Sequence, residues 1–228
     1  MLRFAALPLI TALMLGGCQI LPSGDPSNDS GADRARTDQG RPRQVPTSTS
    51  DRLCLGNLAA NGAQFTQTSN RSDGPGCSYT GAVSLSGLTG DRSRISVTNL
   101  GALKCTAASA LSGWARYGID RAARDFLGSG LARIETMGSY SCRNVAGTSR
   151  RSGHARAEAI DIGAFVLEDG RRISVLTDWN GGTQAERRFL RRIHESACKR
   201  FGTVLGPDYN AAHRNHFHVE TGGGGFCR

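Results

Sequence analysis

Two short segments of this chain alternate apolar and metal-ligating side chains with a period of two. In Ala159-Ile160-Asp161-Ile162-Gly163 two isoleucines flank a carboxylate, and in His216-Phe217-His218-Val219-Glu220 two apolar residues separate three polar ones. Successive side chains on a strand point to opposite faces, so each segment reads as a strand with one face in a core and the other aimed into a cleft. Ala159 and Gly163 are small and leave room beside Asp161. If the two strands are neighbours, Asp161 and His218 share one hollow. His154 lies seven residues before Asp161, in SGHARAEAID. It reaches the same hollow from the loop before the first strand.

Neutral imidazole and carboxylate are what Zn²⁺ takes in a site with three protein ligands and one open position. An open position admits a water and makes hydrolysis possible. Four of the five histidines fall into the two segments, counting His213 in HRNHFHVE. His194, on the polar side of a helical stretch, reads as structural. Glu220 reads as a surface or supporting carboxylate rather than a catalyst.

The first residues, MLRFAALPLITALMLGGC, combine Arg3, a short apolar run and small residues before a cysteine. This is the pattern of a bacterial secretion signal over 1–17. Leu15-Gly16-Gly17-Cys18 resembles a lipobox, so Cys18 is expected to carry a lipid anchor. Gln19 rather than Asp follows it, which points to the periplasmic side of the outer membrane. Residues 18–50 are polar, with almost no apolar side chains, and are expected to be a disordered linker. The folded domain is expected over 51–228.

Six further cysteines, Cys54, Cys77, Cys105, Cys142, Cys198 and Cys227, make an even set in an exported chain and read as disulfides. Sequence alone leaves the connectivity open. Pairing nearest neighbours gives 54–77, 105–142 and 198–227. The formal net charge is +9, but the basic residues are scattered and few aromatics accompany them, which argues against nucleic acid. A solvated basic surface, or attraction to anionic wall and lipid head groups, remains. Oligomeric state is open.

The abundance of glycine, 30 residues, suits a loop-rich α+β domain. Residues 53–104, with short strands at 82–85 and 95–97, read as a small disulfide-pinned lobe packed on the main domain. Ala107, Ala110, Leu111 and Trp114 recur at helical spacing. Asp120 is placed to cap a second helix that runs through Leu127 and closes at Gly128. Strands are expected at 131–137, 159–167 and 171–177, the last two joined by an Asp169-Gly170 turn. Residues 184–200 form the clearest helix, with Ala185, Phe189, Ile193 and Ala197 as its buried stripe and arginines on a solvated face. Val204-Leu205 and 216–221 are the final strands.

S-x-H-x₆-D followed by H-x-H resembles the LAS superfamily of zinc metallopeptidases, named for lysostaphin, D-Ala-D-Ala metallopeptidases and sonic hedgehog. GSYSCR, SGHARAEAIDIGAF, Asp178-Trp179, Ala197-Cys198 and FGTVLGPDYNAAHRNHFHVE resemble the bacterial extensin-like C-terminal domain family more closely. The likeness covers about residues 51–228 and is densest over the last hundred or so. It implies an α+β fold with a hedgehog-like antiparallel sheet and flanking helices, stabilised by disulfides. It implies zinc held by His154, Asp161 and His218, and a peptidase acting on D-alanine-containing peptides of peptidoglycan. It gives Arg143 the role of binding substrate and holding the developing oxyanion. In relatives a carboxylate three residues before the last zinc-binding histidine acts as general base. Asn215 stands there in this chain and cannot take a proton, so His216 or His213 would serve. The alternative is a catalytically inactive zinc-binding module that recognises the wall, or a tether between wall and outer membrane.

Overall fold

The computed structural model describes residues 48–228. The expected leader 1–17, Cys18 and residues 19–47 of the linker lie outside the described residues. Helix α1 (Thr49–Ala60) begins two residues before the expected domain boundary, because the Ser48 side chain accepts a hydrogen bond from the Asp51 amide and caps it.

The fold is α+β, with a large sheet in which antiparallel pairs dominate. Its strands are β1 (Gln64–Gln67), β4 (Ala82–Thr89), β5 (Arg94–Thr98), β6 (Ala102–Lys104), β7 (Leu131–Gly138), β8 (Ala159–Leu167), β9 (Arg172–Ser174), β10 (Thr203–Leu205), β11 (Phe217–Glu220) and β12 (Phe226–Cys227). The order is β1-β4-β5-β7-β8-β11-β10-β12, with β6 beside β4 and β9 beside β8. Strands β2 (Arg71–Ser72) and β3 (Ser78–Tyr79) form a separate hairpin. Two pairs are parallel, β5 with β7 and β10 with β12. The expectation of a separate lobe over 53–104 is therefore corrected. Ser96, Val97 and Thr98 pair with Arg133, Ile134 and Glu135, which joins that region into the same sheet.

The core lies between this sheet and its helices. Helix α2 (Cys105–Trp114) continues through a π-helical stretch (Ala115–Asp120) directly into α3 (Arg121–Leu127). Asp120 does not cap α3 as expected. It is itself helical, with φ −60° and ψ −42°, and makes no capping bond. Its fully buried carboxylate instead accepts from the amides of Leu131 and Asp91, at 2.8 and 2.9 Å. A buried carboxylate needs donors, and the first residue of β7 and the loop before β5 supply them. Gly128 closes α3 in the left-handed region, φ +69°, as expected of that glycine. Trp114 is fully buried and its Nε1 donates to the Ile193 carbonyl and the Ser196 hydroxyl. It thereby ties α2 to α5 (Gln184–Ala197). Helix α5 starts at a capping box, Thr183 with Glu186, and buries Phe189, Leu190, Ile193 and Ala197.

The expected strand 171–177 is shortened. The turn at Asp169-Gly170 forms, with Gly170 at φ +87°, but β9 ends at Ser174 and α4 (Val175–Gly181) follows. The Asp178 carboxylate accepts from the Ser174 amide at 2.6 Å, and Val175 and Trp179, one turn apart, are buried.

The cysteines pair 54–105, 77–142 and 198–227. Nearest-neighbour pairing is corrected at two of the three bonds. Helix α1 packs along α2, which sets Cys54 against Cys105 at the start of α2. Cys77, in the β2–β3 loop, then meets Cys142 beyond β7. Chain proximity was a poor guide because the intervening strands bring distant segments together.

Candidate metal centre

Strands β8 and β11 are antiparallel neighbours, with His218 opposite Asp161, Phe217 opposite Ile162 and Val219 opposite Ile160. The four apolar residues are fully buried in the core. Alternation then turns Asp161 and His218 to the other face. The pairing of β7 with β8 slips twice beside this point. Glu135 faces Ala164 and Thr136 faces Ile162, which leaves Gly163 as an extra residue on β8. Thr136 faces Ile162 and Gly138 faces Asp161, which leaves Met137 extra on β7. The slip at Gly163 resets the alternation, so Phe165 and Leu167 join Ile160 and Ile162 in the core while Asp161 stays in the cleft.

His154 arrives on a one-turn 3₁₀ helix, Gly153–Arg156, capped by the Ser152 side chain. Its Nδ1–H donates to the Ser139 carbonyl, which leaves the Nε2 lone pair facing inward. Three ligand atoms then converge. His154 Nε2 lies 3.2 Å from Asp161 Oδ1 and 3.1 Å from His218 Nδ1, and His218 Nδ1 lies 2.9 Å from Asp161 Oδ1. Zn–N and Zn–O bonds of about 2.0–2.1 Å in a tetrahedron separate the ligands by roughly 3.3 Å. The triangle fits three corners of such a set and leaves the fourth corner free. Both histidines are buried and Asp161 nearly so.

The charges fit the same picture. Burial works against an ionised Asp161, but the imidazoles of His154 and His218 beside it outweigh it and hold the carboxyl well below its usual range. Burial likewise opposes a charged His218, yet hydrogen bonds to Asp161 and Glu220 lift it to about 8. Without a metal the two carry opposite charges that a cation would reorganise.

His216 and His213 stand beside this triangle. His216 precedes β11 rather than opening it, with Nε2 3.5 Å from Asp161 Oδ1. Its Nδ1 is 2.8 Å from the Asn215 side-chain oxygen, and His213 Nδ1 is 2.7 Å from that of Asn210. Each asparagine accepts an Nδ1–H, so each ring presents a free Nε2. Burial lowers both pKa values, that of His213 to about 4, so both are neutral at pH 7. Arg143 is half exposed and its guanidinium lies 3.6 Å from Asp161 Oδ2. Glu220 supports His218 from behind, with Oε2 3.5 Å from Nε2. His194 is remote from this group, packed against Trp179 and Phe217. It also lies near Cys198 and Cys227, but those sulfurs are bonded to each other and are not thiolate ligands.

Ser139, Ser152, Asn210 and the supporting role of Asn215 escaped the sequence reading. Ser152, two residues before His154, carries a turn-capping signal that was there to be used. The Ser139 carbonyl carries none, since any residue would supply it.

A family model described as extensin-like protein C-terminus matches residues 52–228. No curated protein and no solved structure gives a significant match.

Proposed function

The chain belongs to the extensin-like protein C-terminus family, and on that premise we propose that it is an exported zinc peptidase of the bacterial envelope. The substrates are peptidoglycan stem or cross-bridge peptides, cut at bonds involving D-alanine or another D-centre. We assign it to the LAS superfamily on its S-x-H-x₆-D and H-x-H pattern. The word extensin implies no plant-wall role.

The observation that carries the reading is the convergence of His154 Nε2, Asp161 Oδ1 and His218 Nδ1 from three separate segments, with neutral His216 beside them. Zinc in such a set supplies Lewis acidity and lowers the pKa of a water. His216 takes the proton at Nε2, the nitrogen that Asn215 leaves free, and His213 is the second candidate for that step. Arg143, at the rim, binds a substrate carboxylate or holds the charge that develops on the scissile carbonyl oxygen. The N-terminal leader would direct export, and an acyl chain on Cys18 would keep the enzyme at the periplasmic face of the outer membrane, within reach of the wall.

Bound zinc and muropeptide cleavage are measured together on the wild type and on His154→Ala. Loss of both in the variant supports the reading. Stoichiometric zinc with no cleavage by the wild type would sink the enzyme claim and leave the site. Asn215 favours a second reading, a zinc-stabilised module that binds the wall without turnover. Retention on sacculi without cleavage is its signature.

A further inference from the structure

His154 and His218 approach the centre through opposite ring nitrogens, Nε2 for the first and Nδ1 for the second. Each needs its other nitrogen protonated and held. For His154 the acceptor is a backbone carbonyl, that of Ser139. For His218 it is a carboxylate, Glu220 Oε2. That carboxylate is enclosed, with its side chain only 16% exposed. A side chain at Gly153 would begin 2.2 Å from its Cδ, and one at Gly222 would begin 3.1 Å from its Oε1. Gly153 is the first residue of the turn that delivers His154, so one turn both supplies a ligand and makes room for the group behind another ligand.

The enclosure continues outward as alternating charges. Arg156, on the same turn, lies 3.4 Å from Glu220 Oε1 and 2.7 Å from Glu158 Oε2. Lys104 lies 2.8 Å from Glu158 Oε1. Arg156 thus holds the Glu220 carboxylate under His218 and keeps it from turning toward the centre, while Glu158 and Lys104 hold Arg156. We infer that Glu220 is a positioning residue that fixes His218 as an Nδ1 ligand, and that the Arg156–Glu158–Lys104 chain sets how tightly the site holds its metal. This rests on the metal-site reading above. A carboxylate behind a ligating imidazole orients the ring and raises its basicity, and removing such a partner typically weakens metal binding about 10–100-fold.

The test uses the metal-stripped mature chain, titrated with Zn²⁺ against a chelator and with Co²⁺ for its visible spectrum. Glu220→Ala is expected to weaken zinc binding about 10–100-fold and to shift the Co²⁺ bands as His218 turns. Glu220→Gln keeps an acceptor and the shape of the side chain, so it falls between Glu220→Ala and wild type. Arg156→Ala weakens binding less than Glu220→Ala does. The melting temperature of metal-free Glu220→Gln stays near wild type, which separates a lost ligand geometry from a lost fold. Wild-type affinity and an unshifted Co²⁺ spectrum in both Glu220 variants would overturn the inference while leaving the metal site. A wild type that binds no zinc would overturn both.

Discussion

His218 stands directly opposite Asp161 across the β8–β11 pairing, with its Nδ1 2.9 Å from the Asp161 Oδ1. The contact joins a ring lifted to a pKa of about 8 to a carboxyl held low, and it predicts two opposite responses to pH.

A raised folded-state pKa stabilises the metal-free protein fully below the unfolded imidazole value of about 6.5, and that contribution is lost as pH rises through about 8. Asp161 has the other sign: its contribution is present above about pH 4 and is lost only in acid. Zinc needs the neutral imidazole, so its affinity rises with pH until His218 is deprotonated. Between pH 6.5 and about 8.5 the metal-free protein should lose on the order of 1–2 kcal/mol while the zinc-loaded protein gains. Melting curves in chelator and in zinc check this, and parallel profiles would contradict it.

Asn215 accepts the Nδ1–H of His216 and leaves Nε2 free toward Asp161. Asn215→Ala should lower kcat on muropeptides about tenfold, a part of the roughly 10²–10⁴-fold that a positioned base supplies, with zinc content unchanged. Asn215→Asp keeps an acceptor in place and should retain most of the rate. An equal loss in both variants, or loss of metal, would tell against the role given to His216.

Asp120 is buried and serves the Leu131 and Asp91 amides, with Arg124 3.4 Å away. Asp120→Ala leaves these donors without their acceptor and should cost about 3 kcal/mol. Chemical denaturation measures it; a change under about 0.5 kcal/mol, the level of an ordinary surface substitution, would mean the amides find other partners.

The disulfides 54–105 and 77–142 close chain separations of 51 and 65 residues. Each should contribute roughly 4 kcal/mol by restricting the unfolded chain. Peptide mapping without reduction should recover these two links, and a peptide joining Cys54 to Cys77 would contradict the fold.

Much of the site was legible because a period of two is hard to disguise. Ile160 and Ile162 around Asp161, and Phe217 and Val219 around His218, fix which way the polar side chains face, and the two strands are neighbours. The bulges at Gly163 and Met137 left no such trace, since they depend on how β7 and β8 are paired. The same holds for Asp120, whose partners Asp91 and Leu131 are 29 and 11 residues away, and for the cysteine pairs. The strand 171–177 failed for a local reason. Asp178 captures the Ser174 amide, and Val175 with Trp179 supplied a helical spacing that was present but outweighed by the β-branched run.

The central claim is that His154, Asp161 and His218 hold a metal ion. Its most direct test is an equilibrium titration of the metal-stripped protein with Zn²⁺, read as bound zinc per chain, on the wild type and on His218→Ala. One equivalent in the wild type, and none in a His218→Ala variant that keeps wild-type circular dichroism, is the predicted result. Equal binding by the two proteins, or no binding by either, would contradict it.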